Sequence, residues 1–304
     1  MAGLVLFLLP FSLTSTLAKG WDSAQIIALI VIGGVLLFIV FPLYERFLAP
    51  KSFIPFRLLR DRTILGSCIT IGAVYITFYC WDLYFSSFLQ AVFDLSVKDA
   101  GYVANTYNIG SCFWGIIVGL LIRQTNRFKW LGLTAIPLYM LGSGLMIHFR
   151  APSSHIGYVV MCQIFIAFAG GQLVITQEIA ALAAGTHGEV AVILAVISLA
   201  SQIGGAIGDS IAGAIWQNTF LKALTQALPA ASKSQAATIY ASLTTQLSYA
   251  QGTPIRDAII AAYGVSQKDM CIAATATTLL ILVGVWMWRD IKLDNKKQVK
   301  GTVV

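Results

Sequence analysis

The sequence predicts an all-α, polytopic membrane protein with about eight transmembrane helices, and three observations carry that prediction. Apolar residues make up 58% of the 304 residues and charged residues only 11%, against about a quarter charged in a soluble domain. The apolar residues fall in runs of about 20, the length at which a helix crosses roughly 30 Å of hydrocarbon. The Lys and Arg lie between those runs and weigh toward one side of the membrane. The net charge of +7 is therefore a positive-inside bias. It does not mark a nucleic-acid partner, because basic residues separated by apolar spans form no single exposed basic surface. The five cysteines, Cys68, Cys80, Cys112, Cys162 and Cys271, all fall inside apolar segments without metal-ligand spacing and read as packing residues.

Taken in order, residues 1–18 are apolar with Pro10 in the middle, and their roughly 27 Å of helical rise only just spans a bilayer core. A signal peptide is the alternative, but there is no basic n-region and Leu17-Ala18-Lys19 is a poor small-residue cleavage site. Residues 23–41 form a clearer span, with Gly33-Gly34 suited to close helix packing. Residues 1–42 thus make a two-helix unit. The connection 43–62 carries Arg46, Lys51, Arg57, Arg60 and Arg62, with Pro42, Pro50 and Pro55 to break regular structure, and is placed in the cytoplasm. The next span, 63–88, is thick with Tyr75, Phe78, Tyr79, Trp81, Tyr84, Phe85 and Phe88, and holds Asp82 among them. This reads either as an interfacial aromatic belt with a headgroup-level carboxylate, or as a functional intramembrane acid.

The stretch 105–129, NTYNIGSCFWGIIVGLLIRQTNRFK, places Asn108, Ser111, Gly115 and Gly119 on one helical face. Its GIIVG spacing predicts close approach to another helix. Arg123, Arg127 and Lys129 then form a short basic hairpin, which belongs in the cytoplasm. Residues 130–149 span again, kinked at Pro137, and 157–180 follow with Gln163, Gly170, Gly171, Gln172, Thr176, Gln177 and Glu178. In the span 190–216, Ser198, Gln202, Gly205, Asp209, Gly213 and Trp216 recur every three or four residues as a polar or small stripe. A carboxylate near the bilayer centre costs about 2.5–3.5 kcal/mol on insertion scales, so Asp209 calls for a partner or a pore. Residues 218–268 make one long outer connection, containing a helix that starts at Thr253 (N-cap), Pro254 (first position) and Asp257 (first turn) and stops at Gly264. The last span, 270–288, ends with Trp286 and Trp288 marking an interface, and the tail 290–304 is basic. In this topology 13 of the 20 Lys and Arg are inside.

No catalytic constellation or cofactor motif is present. His148, His155 and His187 are scattered over both sides of the membrane, and neither a Walker A pattern nor a His/Glu metal motif occurs, which argues against an ATP-driven pump or a membrane hydrolase. Polar stripes on several helices without a nucleotide site are what a secondary transporter needs. A channel would show a ring of like polar residues or a filter loop, and neither is found; a non-transporting scaffold is the remaining class. The candidate proton-coupling and translocation residues are Asp82, Asp209, Gln202, Ser198, Asn108 and Gln172. In the outer connection, Tyr240, Tyr249 and Tyr263 offer flat faces with hydroxyls, and Arg256 a planar cation, to a bulky polar ligand.

The segment GLLIRQTNRFKW resembles the loop motif of major facilitator transporters in its C-terminal-half copy. Gly119, Leu121, Arg127 and Lys129 match, and Arg123 stands where the pattern usually has Asp. More specific are WDSAQIIALIVIGG, FPLYERFLAPKSFIP, YNIGSCFWG, GGAIGDSIAGAIWQN and GTPIRDAIIAAYG. Together they resemble the fungal siderophore–iron transporters of the fourteen-helix, drug:H+ antiporter-like branch. The resemblance implies two extra central helices followed by the C-terminal six-helix bundle over 63–289, with an N-terminal six-helix half as the missing partner. It also implies proton-coupled uptake of a ferric siderophore, with glutathione/proton exchange, drug export or a non-transporting remnant as alternatives. Within LSYAQGTPIRDAIIAAYG it assigns substrate handling to Tyr249, Arg256 and Tyr263.

Overall fold

Two apolar helices open the chain, α1 (Ala2–Leu13) and α2 (Ala24–Val35), and a glycine decides how they meet. A Cβ added at Gly33 would stand 2.5 Å from the Phe7 nitrogen, so only glycine lets the backbones touch. The computed structural model describes residues 2–13, 23–47 and 56–293. Regular structure runs past Pro42, where the sequence predicts its end: α2 passes through a π turn, Leu36–Val40, into α3 (Phe41–Phe47). The wider turn just before Pro42 gives the ring room that an α-helix would deny it. Lys51 and Pro50, assigned to the connection, lie outside the described residues, as does the basic tail beyond Leu293.

After α4 (Phe56–Leu59), the carboxylate of Asp61 accepts the Thr63 N–H at 2.8 Å and starts α5 (Arg62–Asp82). The helix breaks at Leu83–Tyr84 and resumes as α6 (Phe85–Phe93), which stops at Asp94 with φ of 54°. Ser96 caps α7 (Val97–Ala104), and α8 (Thr106–Thr125) ends on a left-handed Asn126. Then come α9 (Lys129–Phe149), α10 (Ile156–Ala184) and α11 (Val190–Ala227), the last entered through a Thr186/Glu189 capping box. The short helices α12 (Ala236–Ala241) and α13 (Leu243–Leu247) precede α14 (Pro254–Trp286). As predicted, α14 is capped by Thr253 with Pro254 first and Asp257 in the first turn, but it runs on through Gly264, where the sequence predicts a stop, and is continuous with the last span.

Among the described residues, six helical segments are long and apolar enough to cross a membrane, counting α5 with α6 and α7 with α8. α1 and α2 fall short by length, although Ala24 to Phe47 is helical without interruption. The expected loop 218–268 is mostly helix. α11 has 38 residues, about 57 Å of rise against a core of about 30 Å, so one end of it stands clear of the hydrocarbon and only the short segment between it and α14 caps the bundle.

α5 is the centre of the bundle and small residues set its contacts. A Cβ at Gly204 of α11 would lie 2.3 Å from the Gly72 carbonyl oxygen, one at Gly208 2.7 Å from that of Ile76, and one at Gly66 2.5 Å from that of Gly284 in α14. The GIIVG pair does not serve this purpose: Gly119 meets nothing within 4 Å, and Gly115 meets only the Ile175 side chain at 3.5 Å. α8 approaches α10 through Gly171 instead, where a Cβ would be 2.4 Å from the Ser111 oxygen. Trp286 is exposed, whereas Trp288 turns inward against Gly132 and Phe128 and is not an interface residue.

The alternation of helices brings the starts of α5, α9 and α11 to the same end as the finish of α14, and the basic residues gather there. Arg57 pairs with Glu189, Arg289 with Asp61 at 3.0 Å, and Arg127 with Asp290 at 3.4 Å. The Lys129 ammonium donates to the Trp288 carbonyl, and the Leu293 N–H to the Asn126 carbonyl at 3.2 Å. The hairpin is thus bolted to the chain just beyond the last helix.

Candidate translocation cavity

A cavity of about 750 Å³ lies between α5, α8 and α10. Its α5 wall is Tyr75, Phe78 and Tyr79; its α8 wall carries Tyr107, Asn108, Ser111 and Cys112. Glycine opens the third wall, since a Cβ at Gly170 would press to 2.7 Å from the Tyr107 hydroxyl. The Phe78 and Tyr107 rings stack 4.7 Å apart and fix the aromatic side. A mainly apolar surface with a few hydroxyl and amide groups, at this volume, is the make-up of a small-molecule site. α8 leaves Ile109, Phe113 and Ile116 exposed beside it, so the bundle presents this face outward. Cys112 is exposed here and is not a packing residue, unlike the buried Cys80, Cys162 and Cys271.

Three ionisable groups stand near the break between α5 and α6. Asp82, the last residue of α5, is half-buried and feels the charges of Arg150 and Asp209. The rings around it are core: Trp81, Phe85 and Phe88 are fully buried, which displaces the aromatic-belt reading. Arg150, one residue past α9, is 2% exposed, and its guanidinium carbon lies 4.3 Å from the Phe85 ring centre, 5.4 Å from that of Phe88 and 5.6 Å from that of Trp81. Nη1 reaches the Cys271 sulfur at 3.9 Å, while Nε and Nη2 have no partner. Burial pulls the Arg150 pKa down from its ordinary value, but an arginine so placed stays cationic. On α11, Asp209 buries one carboxylate oxygen without a partner.

The other sequence candidates separate. Asn108 lines the cavity, and Ser198 and Gln202 are exposed on α11 away from its lining. Gln172 is occupied: its carbonyl accepts from the Trp114 indole at 3.1 Å and its amide donates to the Leu131 carbonyl at 2.6 Å and the Thr134 hydroxyl at 2.9 Å. It ties α8, α9 and α10 together. In the loop motif, Gly119 is open and Arg123 exposed, whereas Arg127 and Lys129 hold the basic end described above.

The outer trio is likewise inside the fold. Arg256 is 1% exposed and donates from Nε to the Ala91 carbonyl at 3.1 Å and from Nη1 to that of Gln246 at 2.8 Å, with longer bonds to the Gln90 and Tyr249 carbonyls. The Tyr263 hydroxyl donates to the Gln246 side chain at 2.8 Å, and that of the half-buried Tyr249 to Gln235 at 3.2 Å. These groups fasten the cap; Arg256 and Tyr263 are closed off from solvent, while Tyr249 keeps part of its surface exposed. Sequence reasoning does not single out Arg150. The signal was there in the spacing of Trp81, Phe85 and Phe88, whose rings share one helical side and suit a guanidinium.

Six alternating long apolar helical segments among the described residues, a glycine-packed centre and a cavity open on one face define a polytopic integral membrane protein, and half of a major facilitator bundle fits both a solved structure and longer relatives. The fold agrees with the crystal structure of a bacterial homolog to the human lysosomal transporter Spinster in an inward-facing and occupied conformation, at a TM-score of 0.51 and 14% identity over 94% of this chain and 65% of that one. The family described as the fungal trichothecene efflux pump (TRI12) matches residues 1–279, and the chain belongs to that family. It is 54% identical to an MFS siderochrome iron transporter 1 of Ajellomyces capsulatus over 100% of this chain and 52% of the relative. It is 50% identical to MFS siderochrome iron transporter D of Aspergillus fumigatus (99% and 50%) and 42% identical to siderophore iron transporter 1 of Schizosaccharomyces pombe (97% and 48%). The chain spans about half the length of the curated relatives it matches.

Proposed function

We propose that the chain forms one bundle of a proton-coupled importer of ferric siderophores, with its α5/α8/α10 cavity as one wall of the path and an N-terminal half-bundle as the other. The observation that carries this reading is the cavity's place on an outward-facing side of the bundle, where a second bundle can close over it and rock. The tyrosine rings and the amide and hydroxyl groups of Asn108 and Ser111 suit a ligand that is bulky and polar at its rim. The curated relatives at 42–54% identity carry siderophore or siderochrome iron in their names, which favours iron chelates over the efflux that the family description names. Asp82 and Asp209 are the proton-coupling carboxylates of this reading, since both sit within the bundle's long apolar helical segments and Asp209 buries a carboxylate oxygen without a partner.

The test is uptake of a labelled ferric hydroxamate siderophore in yeast lacking its own importers. Joined to the first half of the Ajellomyces capsulatus relative, the chain is expected to give saturable, proton-dependent uptake; none, at normal surface abundance, refutes the substrate reading. Expressed alone, it is expected to insert without transport. Saturable uptake by the lone chain refutes the need for a second bundle.

A further inference from the structure

The transport reading leaves the placement of Arg150 unexplained. Its guanidinium is buried, carries charge and is held face-on by three aromatic rings, yet two of its nitrogens have no partner. A buried charge left unpaired costs several kcal/mol, and aromatic faces return about 2 kcal/mol of that. An anion is needed. From α14 the guanidinium meets only the Cys271 thiol, a weak acceptor. From α5 it meets Trp81 and, across the break, Phe85 and Phe88. Asp82 sits on that same turn, next to Trp81 and three residues before Phe85. The carboxylate is thus carried by the backbone that carries the rings, although the pair is not among the ion pairs closer than 4.0 Å. Asp209 of α11 is the other charged side chain acting on Asp82.

The geometry points to Asp82 and Arg150 as a switchable ion pair: open here, it closes when the end of α5 swings about Leu83–Tyr84 against α6, whose Phe85 and Phe88 rings already lie on the guanidinium, so that Arg150 positions the Asp82 carboxylate. A helix break in a transporter bundle is a place where the backbone can bend without losing interior hydrogen bonds. Closing the pair gives the orphaned Nε and Nη2 their acceptor and draws the end of α5 toward Arg150. The proposal deepens the reading of Asp82 as a coupling carboxylate, but its test reads pairing and not transport, so either can fail while the other stands.

The experiment is a double-mutant cycle on the full 304-residue chain in lipid nanodiscs, measuring the unfolding equilibrium for wild type, Asp82→Asn, Arg150→Gln and the double variant. Each single change is expected to destabilise the fold, and the double variant to recover at least tenfold in the equilibrium beyond additivity. Arg150→Lys is expected to keep most of the coupling to Asp82, because it keeps the charge while losing the flat stack. Additive single effects, or Arg150→Lys behaving like Arg150→Gln, overturn the pair and leave Arg150 as a stacking residue. Should Arg150→Gln yield no folded protein, folded protein from the double variant supports the pair and its absence overturns it.

Discussion

Replacing Arg256 with Ala is expected to release the outer cap while leaving the membrane helices folded. The guanidinium joins the last carbonyls of α6, at Gln90 and Ala91, to the carbonyls of Gln246 and Tyr249 at the end of α13. Two of these bonds, at 2.8 and 3.1 Å, are of full strength; the others, at 3.3 and 3.4 Å, add little. The Asp94 carboxylate at 3.5 Å is 68% exposed, so solvent screens that pair and it is set aside. Two charge-assisted bonds at about 1.5–3 kcal/mol each give about 3–6 kcal/mol. If opening of the cap is what they oppose, amide exchange over residues 236–253 accelerates by about 10²–10⁴ at tenfold per 1.4 kcal/mol. Hydrogen exchange read by mass spectrometry on the chain in nanodiscs measures this, and Arg256→Lys, with one compact donor group, should show about half the free-energy effect. Exchange over 236–253 unchanged in Arg256→Ala, with the protein folded, refutes the clamp.

Glycine substitutions should split by what a Cβ meets: Gly204→Ala forces α11 from α5 and costs about 1–3 kcal/mol, whereas Gly119→Ala, in open space, stays within about 0.5 kcal/mol; thermal unfolding in detergent separates them. The positive-inside bias places the cap outside, so a cysteine at the exposed Ser234 should react with an impermeant reagent in intact cells, and labelling only after permeabilisation reverses the topology. In a chain completed by a second bundle, Asp82→Asn and Asp209→Asn should alter the pH dependence of uptake, and an unchanged profile in both removes these carboxylates from coupling.

The spans were legible because a bilayer imposes length and apolarity on each helix separately; hence α8, α9, α10 and the Thr253 cap fall where the residues put them. What the sequence concealed depends on partners. Gly115 and Gly119 have the spacing of a packing motif, as do Gly204 and Gly208, and nothing local says that only the second pair faces another backbone. Arg256 and Tyr263 have the chemistry of ligand contacts, but the same chemistry satisfies carbonyls at helix ends, and burial decides between the two. Gln172 reads as a polar residue in a span until Trp114 and Leu131 take its amide. Trp288 reads as an interface anchor until the chain turns back after Trp286 and seats it on Gly132. The cavity itself comes from three non-sequential helices, so only its individual polar residues, Asn108 and Ser111, could be nominated beforehand.

The central claim is that the α5/α8/α10 face lines a water-accessible path and is not a lipid-facing side of the bundle. Cys112 reports on this directly, because it lies on the cavity wall and is the exposed member of the five cysteines. A charged thiosulfonate reagent reacts with a thiolate in water and not with a thiol in hydrocarbon. Applied to a chain completed by a second bundle, it should modify Cys112, fail to modify Cys112→Ser, and be slowed by a saturating ferric siderophore. A Cys112 that stays unmodified in every state of the transporter contradicts the account.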